Sequence, residues 1–399
     1  MALFLTIVAL IGGLTLGGKA PLQTSDIQVV DPTVSYHFGE DIDFQARIIP
    51  SDSTCTADIF FQPAGDEVHV GTAEVDNQGI ASYHFSLQTG AIRPFARITY
   101  WLRFRTADGY EYTSPMFWFD YVDNRFDWQD LADGPIRVHW IRGDVSFGQA
   151  VLNTAQKGLD EIQRIVPLTP NQPIDFYVYP DISDLQAALQ LGGQDWVAGS
   201  ASPDLGVVLI SIQAGPDQRL ELERQVPHEL AHTLLYQATG SGYSNIPVWL
   251  SEGIASLAEL YPNPDYQRSL DVARDSGGLL SIASLCTSFP KDASGAFLAY
   301  AEATSFTRYL QKNYGTSGIQ AMIRKYVDGL GCSEGVDAAL GVSLAQLEFR
   351  WQNDSLKAQP GRAAWMRLLP YLALFLLVIT LPMIPVLISL SKRKAVVKP

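Results

Sequence analysis

His228 and His232 lie four residues apart in the stretch Val226-Pro227-His228-Glu229-Leu230-Ala231-His232. On an α-helix, residues at that spacing project from one face, a turn apart. Two imidazoles so placed suit two nitrogen ligands of a tetrahedral Zn²⁺, and the intervening Glu229 can reach a water on the metal. A catalytic zinc needs a third protein ligand and one open position. The best candidate is Glu252, in Trp249-Leu250-Ser251-Glu252-Gly253-Ile254-Ala255. Pro247 marks where a helix can begin and Pro262 where it must stop. A carboxylate in the first turn of so apolar a helix is costly to bury without a partner, and a metal would be one. Gly253 costs about 1 kcal/mol relative to Ala inside a helix, which makes sense if a neighbouring backbone or a metal comes close.

The pair of stretches, HELAH and then WLSEGIASLAE, resembles the gluzincin zinc metallopeptidases, particularly the peptidase-MA-like group and more distantly the aminopeptidase-N-like enzymes. The resemblance runs from about Ile136 to Trp351. It implies His228, His232 and Glu252 as ligands of one Zn²⁺ per chain, Glu229 as general base and acid, and a protein or peptide as substrate. It also suggests Tyr300, in Phe297-Leu298-Ala299-Tyr300-Ala301-Glu302-Ala303, as a transition-state donor; simple packing in a helix core is the alternative. Glu259, seven residues after Glu252, falls on nearly the same helix face. It would orient a ligand histidine from behind, or stand as a solvated carboxylate. Aminopeptidases of this type carry a Gly-x-Met-x-Asn segment that captures the substrate's free amine. No such segment is found in this sequence, which favours an endopeptidase.

The elements that must hold these residues follow from the rest of the chain. Its 399 residues, 47% hydrophobic and 18% charged, suffice for two packed domains. A net charge of −14 with no basic stripe excludes nucleic-acid binding. Residues 1–20 read as a signal peptide or N-terminal anchor. Residues 21–123 read as a β-sandwich of immunoglobulin or fibronectin type: Ile42, Phe44, Ala46 and Ile48 alternate with polar neighbours, and Asp108-Gly109 turns a hairpin. His37, His69 and His84 are scattered there without ligand spacing.

Residues 124–135 read as a linker, and residues 136–358 as an α+β zincin-like peptidase domain. Within it we expect strands at Ile136–Trp140, Ile174–Tyr179 and Gly206–Ile212, with helices between them. By the resemblance, the last of these strands lies at the sheet's edge and pairs with extended substrate. Pro227 predicts a kink or a restart in the HELAH helix. Cys286 and Cys332 either pair or remain as buried thiols, with Cys55 left over in the β-rich region.

Leu368 to Leu390 carries no charge and is long enough to cross a bilayer. The basic residues of 391–399 place the C-terminus in the cytoplasm. The sequence therefore reads as a single-pass cell-membrane protein facing outward, touching lipid through its C-terminal helix. Two other classes stay open: a surface binding protein that retains a peptidase fold without turnover, and an envelope protein with a purely structural zinc.

Overall fold

The computed structural model describes residues 28–49, 54–87, 92–106, 109–191, 199–357, 368–378 and 380. The expected signal segment, the tail 391–399, and residue 379 and residues 381–390 of the expected membrane span lie outside them. The chain divides into two compact units, one ending at Asn124 and one starting at Arg125.

The first unit holds β1 (Gln28–His37), β2 (Asp41–Ile49), β3 (Thr54–Pro63), β4 (His69–Val75), β5 (Ile80–Ser86), β6 (Arg97–Thr106), β7 (Glu111–Thr113) and β8 (Phe117–Asp120). The alternation in β2 buries Ile42, Phe44, Ala46 and Ile48 as expected. The two halves of the expected sandwich are joined through one shared strand. The strands make one curled antiparallel sheet in the order β1-β2-β5-β4-β3-β6-β7, with β8 also on β6. The reason is β4. Its first part, His69–Ala73, pairs with β3, while Glu74 and Val75 pair with β5, so one strand belongs to both halves. The halves close on an aromatic core in which Phe44 packs 5.2 Å from Phe61 and 5.3 Å from Tyr100.

The second unit opens with an unexpected strand. Within 124–135, β9 (Gln129–Asp133) pairs antiparallel with β10 (Ile136–Trp140) at a sheet edge. The sheet continues through β11 (Ile174–Tyr179) and β13 (Val207–Ser211), both parallel, to β12 (Gly199–Ser202), which is antiparallel. The apolar strand β13 is therefore not the edge, because β12 covers it. Its five buried residues, VVLIS, fit a strand enclosed on both faces.

Helices α1 (Val145–Ile165), α2 (Ile182–Leu191) and α3 (Gln218–Thr239) pack on this sheet, and α4 (Val248–Ala258), α5 (Tyr266–Ser276), α6 (Ala293–Val327), α7 (Cys332–Leu340) and α8 (Leu344–Asp354) build outward from them. At Gly315, φ is +65°, which breaks α6 into two helical arms. Cys286 and Cys332 form a disulfide. Residues 368–378 are helical with exposed apolar side chains, Tyr371 and Phe375 among them. Among the described residues no helix is long and apolar enough to cross a membrane.

On α6, Glu302 is fully buried. One carboxyl oxygen accepts from the Leu280 N–H at 2.9 Å and the other has no hydrogen-bond partner among the described residues. Burial, aided by the Glu348 carboxylate and opposed by the Leu280 N–H, pushes its pKa up to about 8. The folded chain thus keeps a proton that the unfolded chain releases above its ordinary value near 4.5. Stability should fall as pH rises from about 4.5 to 8, by up to a few kcal/mol. Glu302→Gln should flatten that slope and melt at a higher temperature at pH 8, as thermal unfolding at both pH values will show; parallel slopes would contradict it.

Candidate metal centre

The helix that carries His228 and His232 starts from a paradox. Pro227 lies inside α3, yet the helix runs on from Gln218 to Thr239 without restarting. A proline leaves the carbonyl four residues earlier without its helical donor. That carbonyl belongs to Glu223, and it is taken by the N–H groups of Leu260, at 2.8 Å, and Tyr261, at 3.4 Å. The group that proline orphans thereby docks the segment leaving α4. Room for the ring comes from Gly158 of α1, where a Cβ would sit 2.9 Å from the Pro227 Cβ.

This clamp sets the position of Glu259. Helix α4 stops at Ala258, so Glu259 is its extended C-cap and not the helix-face residue its spacing suggested. It is buried, and its Oε1 lies 3.1 Å from His228 Nδ1. His232 Nδ1 lies 2.9 Å from the hydroxyl of Tyr243, in the short 3-10 turn after α3. With both Nδ1 atoms engaged, the two Nε2 atoms face inward. There Glu252 Oε2 approaches them at 3.3 Å (His228) and 3.5 Å (His232), is buried, and makes no hydrogen bond among the described residues. The three ligand atoms lie within 4.8 Å of one another.

A buried carboxylate oxygen without a hydrogen bond, facing two imidazole nitrogens whose other nitrogens are occupied, fits a zinc ion. Without a metal, protons must fill the charge. Burial pushes the Glu252 carboxyl up, but the two imidazoles outweigh it and hold it well below the usual carboxylate range. Burial likewise opposes charge on His228, and the Glu252 and Glu259 carboxylates raise it well above the ordinary imidazole value.

Glu229 stands between the two histidines in sequence, half-buried, and its charge acts on His228, Tyr243 and Tyr300. The Tyr300 ring lies 6.3 Å from the His228 ring and 5.0 Å from Phe289. Burial, with the charges of Glu252 and Glu229, pushes its hydroxyl above the ordinary phenol value, so at neutral pH it is a donor. Tyr243 was not anticipated; the only sequence signal is a tyrosine just past the glycines that end α3.

Two supports fix α4, which carries Glu252. The Val248 N–H donates to the Cys286 carbonyl at 2.9 Å, and the Trp249 Nε1–H to Cys332 Sγ at 3.4 Å, so the disulfide grips the helix start. At Gly253 the helix crosses α6 so closely that a Cβ would sit 2.1 Å from Thr307 Oγ1 and 2.7 Å from the Ala303 carbonyl.

A family model described as the Peptidase MA superfamily matches residues 154–358. The fold and the inward-facing His-His-Glu cluster are those expected of a metallopeptidase domain. The chain belongs to the Peptidase MA superfamily. No curated protein sequence matches it. Among solved structures, a mutant of the M1 zinc metallopeptidase from Deinococcus radiodurans is similar at 13% identity, over 82% of this chain and 92% of that one, with a TM-score of 0.37. The unmutated enzyme is 16% identical over 80% and 63%, with a TM-score of 0.31. The Br derivative of BhCBM56 is 10% identical over 22% of this chain and 88% of its own, with a TM-score of 0.19.

Gly253→Ala should force α4 and α6 apart beside Glu252. We expect a loss of about 1–3 kcal/mol in stability and weaker zinc binding, read by thermal melts with and without added zinc. A variant that melts and binds zinc like the parent would contradict the close-crossing account.

Proposed function

We propose that this chain is a zinc-dependent peptidase whose metal is held by His228, His232 and Glu252. The observation that carries the reading is the convergence of two Nε2 atoms and one unbonded carboxylate oxygen, with Glu229 on the same helix turn. A bound Zn²⁺ would supply Lewis acidity and bring a coordinated water's pKa towards neutrality.

The chain's own residues do the rest. Glu229 takes a proton as water attacks the peptide carbonyl and delivers it to the departing amine. Tyr300, protonated and half-buried, donates to the oxygen on which negative charge develops. Glu259 and Tyr243 hold the two imidazoles in the tautomer whose Nε2 lone pair faces the metal.

Two further parts of the reading rest on the sequence. The missing amine-capturing segment favours cleavage within a chain. The uncharged stretch 368–390, followed by Lys392, Arg393 and Lys394, favours a single membrane anchor with the peptidase domain outside the cell.

Glu229→Gln tests the chemistry. The variant should hold zinc like the parent and lose 10²-fold or more in the rate of hydrolysis of an unstructured protein such as casein, since a positioned acid–base group contributes about 10²–10⁴. Unchanged turnover with zinc bound would contradict the assignment.

A further inference from the structure

Arg224 lies one helical turn before His228 on α3, so the two side chains leave the same face. It is half-buried, and its Nε is enclosed without a hydrogen-bond partner among the described residues. Its guanidinium carbon lies 5.8 Å from the centre of the Tyr261 ring. Of the nearby carboxylates, Glu223 pairs with Arg219 at 3.0 Å and Glu259 Oε1 with His228, while Glu259 Oε2 has no hydrogen-bond partner among the described residues.

Arg224 is continuous with the metal centre. The Tyr266 hydroxyl lies within electrostatic reach of Arg224, Glu259 and Glu252, and that of Tyr300 within reach of Tyr266, Glu252 and Glu229. Four residues of helix advance about 6 Å along the axis, and a helical side chain leans further towards the N-terminus. An extended peptide covers about 3.3–3.6 Å per residue, so for a substrate lying along α3 the guanidinium would fall one or two residues from the bond at the metal. A planar, always-charged fork beside an aromatic ring is suited to grip a carboxylate through two parallel hydrogen bonds.

We propose that Arg224 is a specificity-determining residue that binds a substrate carboxylate one or two residues from the scissile bond. The carboxylate comes either from the chain's free C-terminus or from an acidic side chain. This inference rests on the peptidase reading for its meaning, but binding at Arg224 is measurable without turnover.

The test uses full-length, zinc-loaded protein carrying Glu229→Gln, titrated by calorimetry with three probes. These are acetyl-Ala-Phe-Ala-Ala as the free acid, the same peptide as its C-terminal amide, and acetyl-Ala-Phe-Glu-Ala amide. The free acid, the glutamate peptide or both should bind at least about tenfold more tightly than the neutral amide, a difference of about 1.4 kcal/mol. Which probe gains identifies the source of the carboxylate. Adding Arg224→Gln should erase the gain and leave the neutral amide unchanged, and Arg224→Lys should restore part of it.

Equal affinities for all three peptides, no binding of any of them, or a preference that survives Arg224→Gln would overturn the proposal. The peptidase reading fails by a different result: a parent chain, with Glu229 intact, that holds zinc and cleaves no peptide. A carboxylate preference that depends on Arg224 in a chain without turnover would leave the binding role standing alone.

Discussion

The second unit depends on one electrostatic demand, that of a buried carboxylate oxygen without a hydrogen bond between two imidazole nitrogens. An unpaired charge of that kind is among the costliest groups a fold can enclose. Glu252 is tolerable there only with positive charge beside it, whether protons on the histidines or a metal ion. Most of the specific packing around the site serves to keep three atoms from relaxing away from one another. Glu259 and Tyr243 hold the imidazoles from behind. The disulfide and the Gly253 crossing hold the helix that carries the carboxylate.

Pro227 links these devices. Within a helix it costs a hydrogen bond, and the freed Glu223 carbonyl becomes the anchor for Leu260 and Tyr261. That anchor sets the end of α4, the backbone of Glu259 and hence the hydrogen bond to His228. A residue that disfavours helix at the local level thus joins the two helices that carry His228, His232 and Glu252, a local cost of the kind retained at functional sites.

The residues of the candidate metal centre could be singled out because their signals are local. The His228–His232 spacing is a property of one helix turn, and Glu252 betrayed itself as a charge in an apolar segment. The partners of the ligands were less legible because they depend on how chain ends meet. Glu259 was singled out on helical periodicity, but it acts from beyond the helix end, through a carbonyl that no periodicity reveals. Tyr243 and Arg224 carry no pattern of their own. Strands β10 and β11 matched their apolar runs, while β9 hid in a polar, aromatic stretch because it is an edge strand with little to bury. The joining of the two halves through β4 was not foreseen, since alternation reports which face is buried and not which partner a strand takes halfway along.

The central claim is that His228, His232 and Glu252 together hold a metal. The most direct measurement is the zinc content per chain of the purified full-length protein beside its Glu252→Ala variant. The account predicts one zinc per chain in the parent, and in the variant a loss or marked weakening, with the fold retained by circular dichroism. A well-folded parent that binds no zinc when zinc is supplied, or a variant that binds it as tightly, would contradict it.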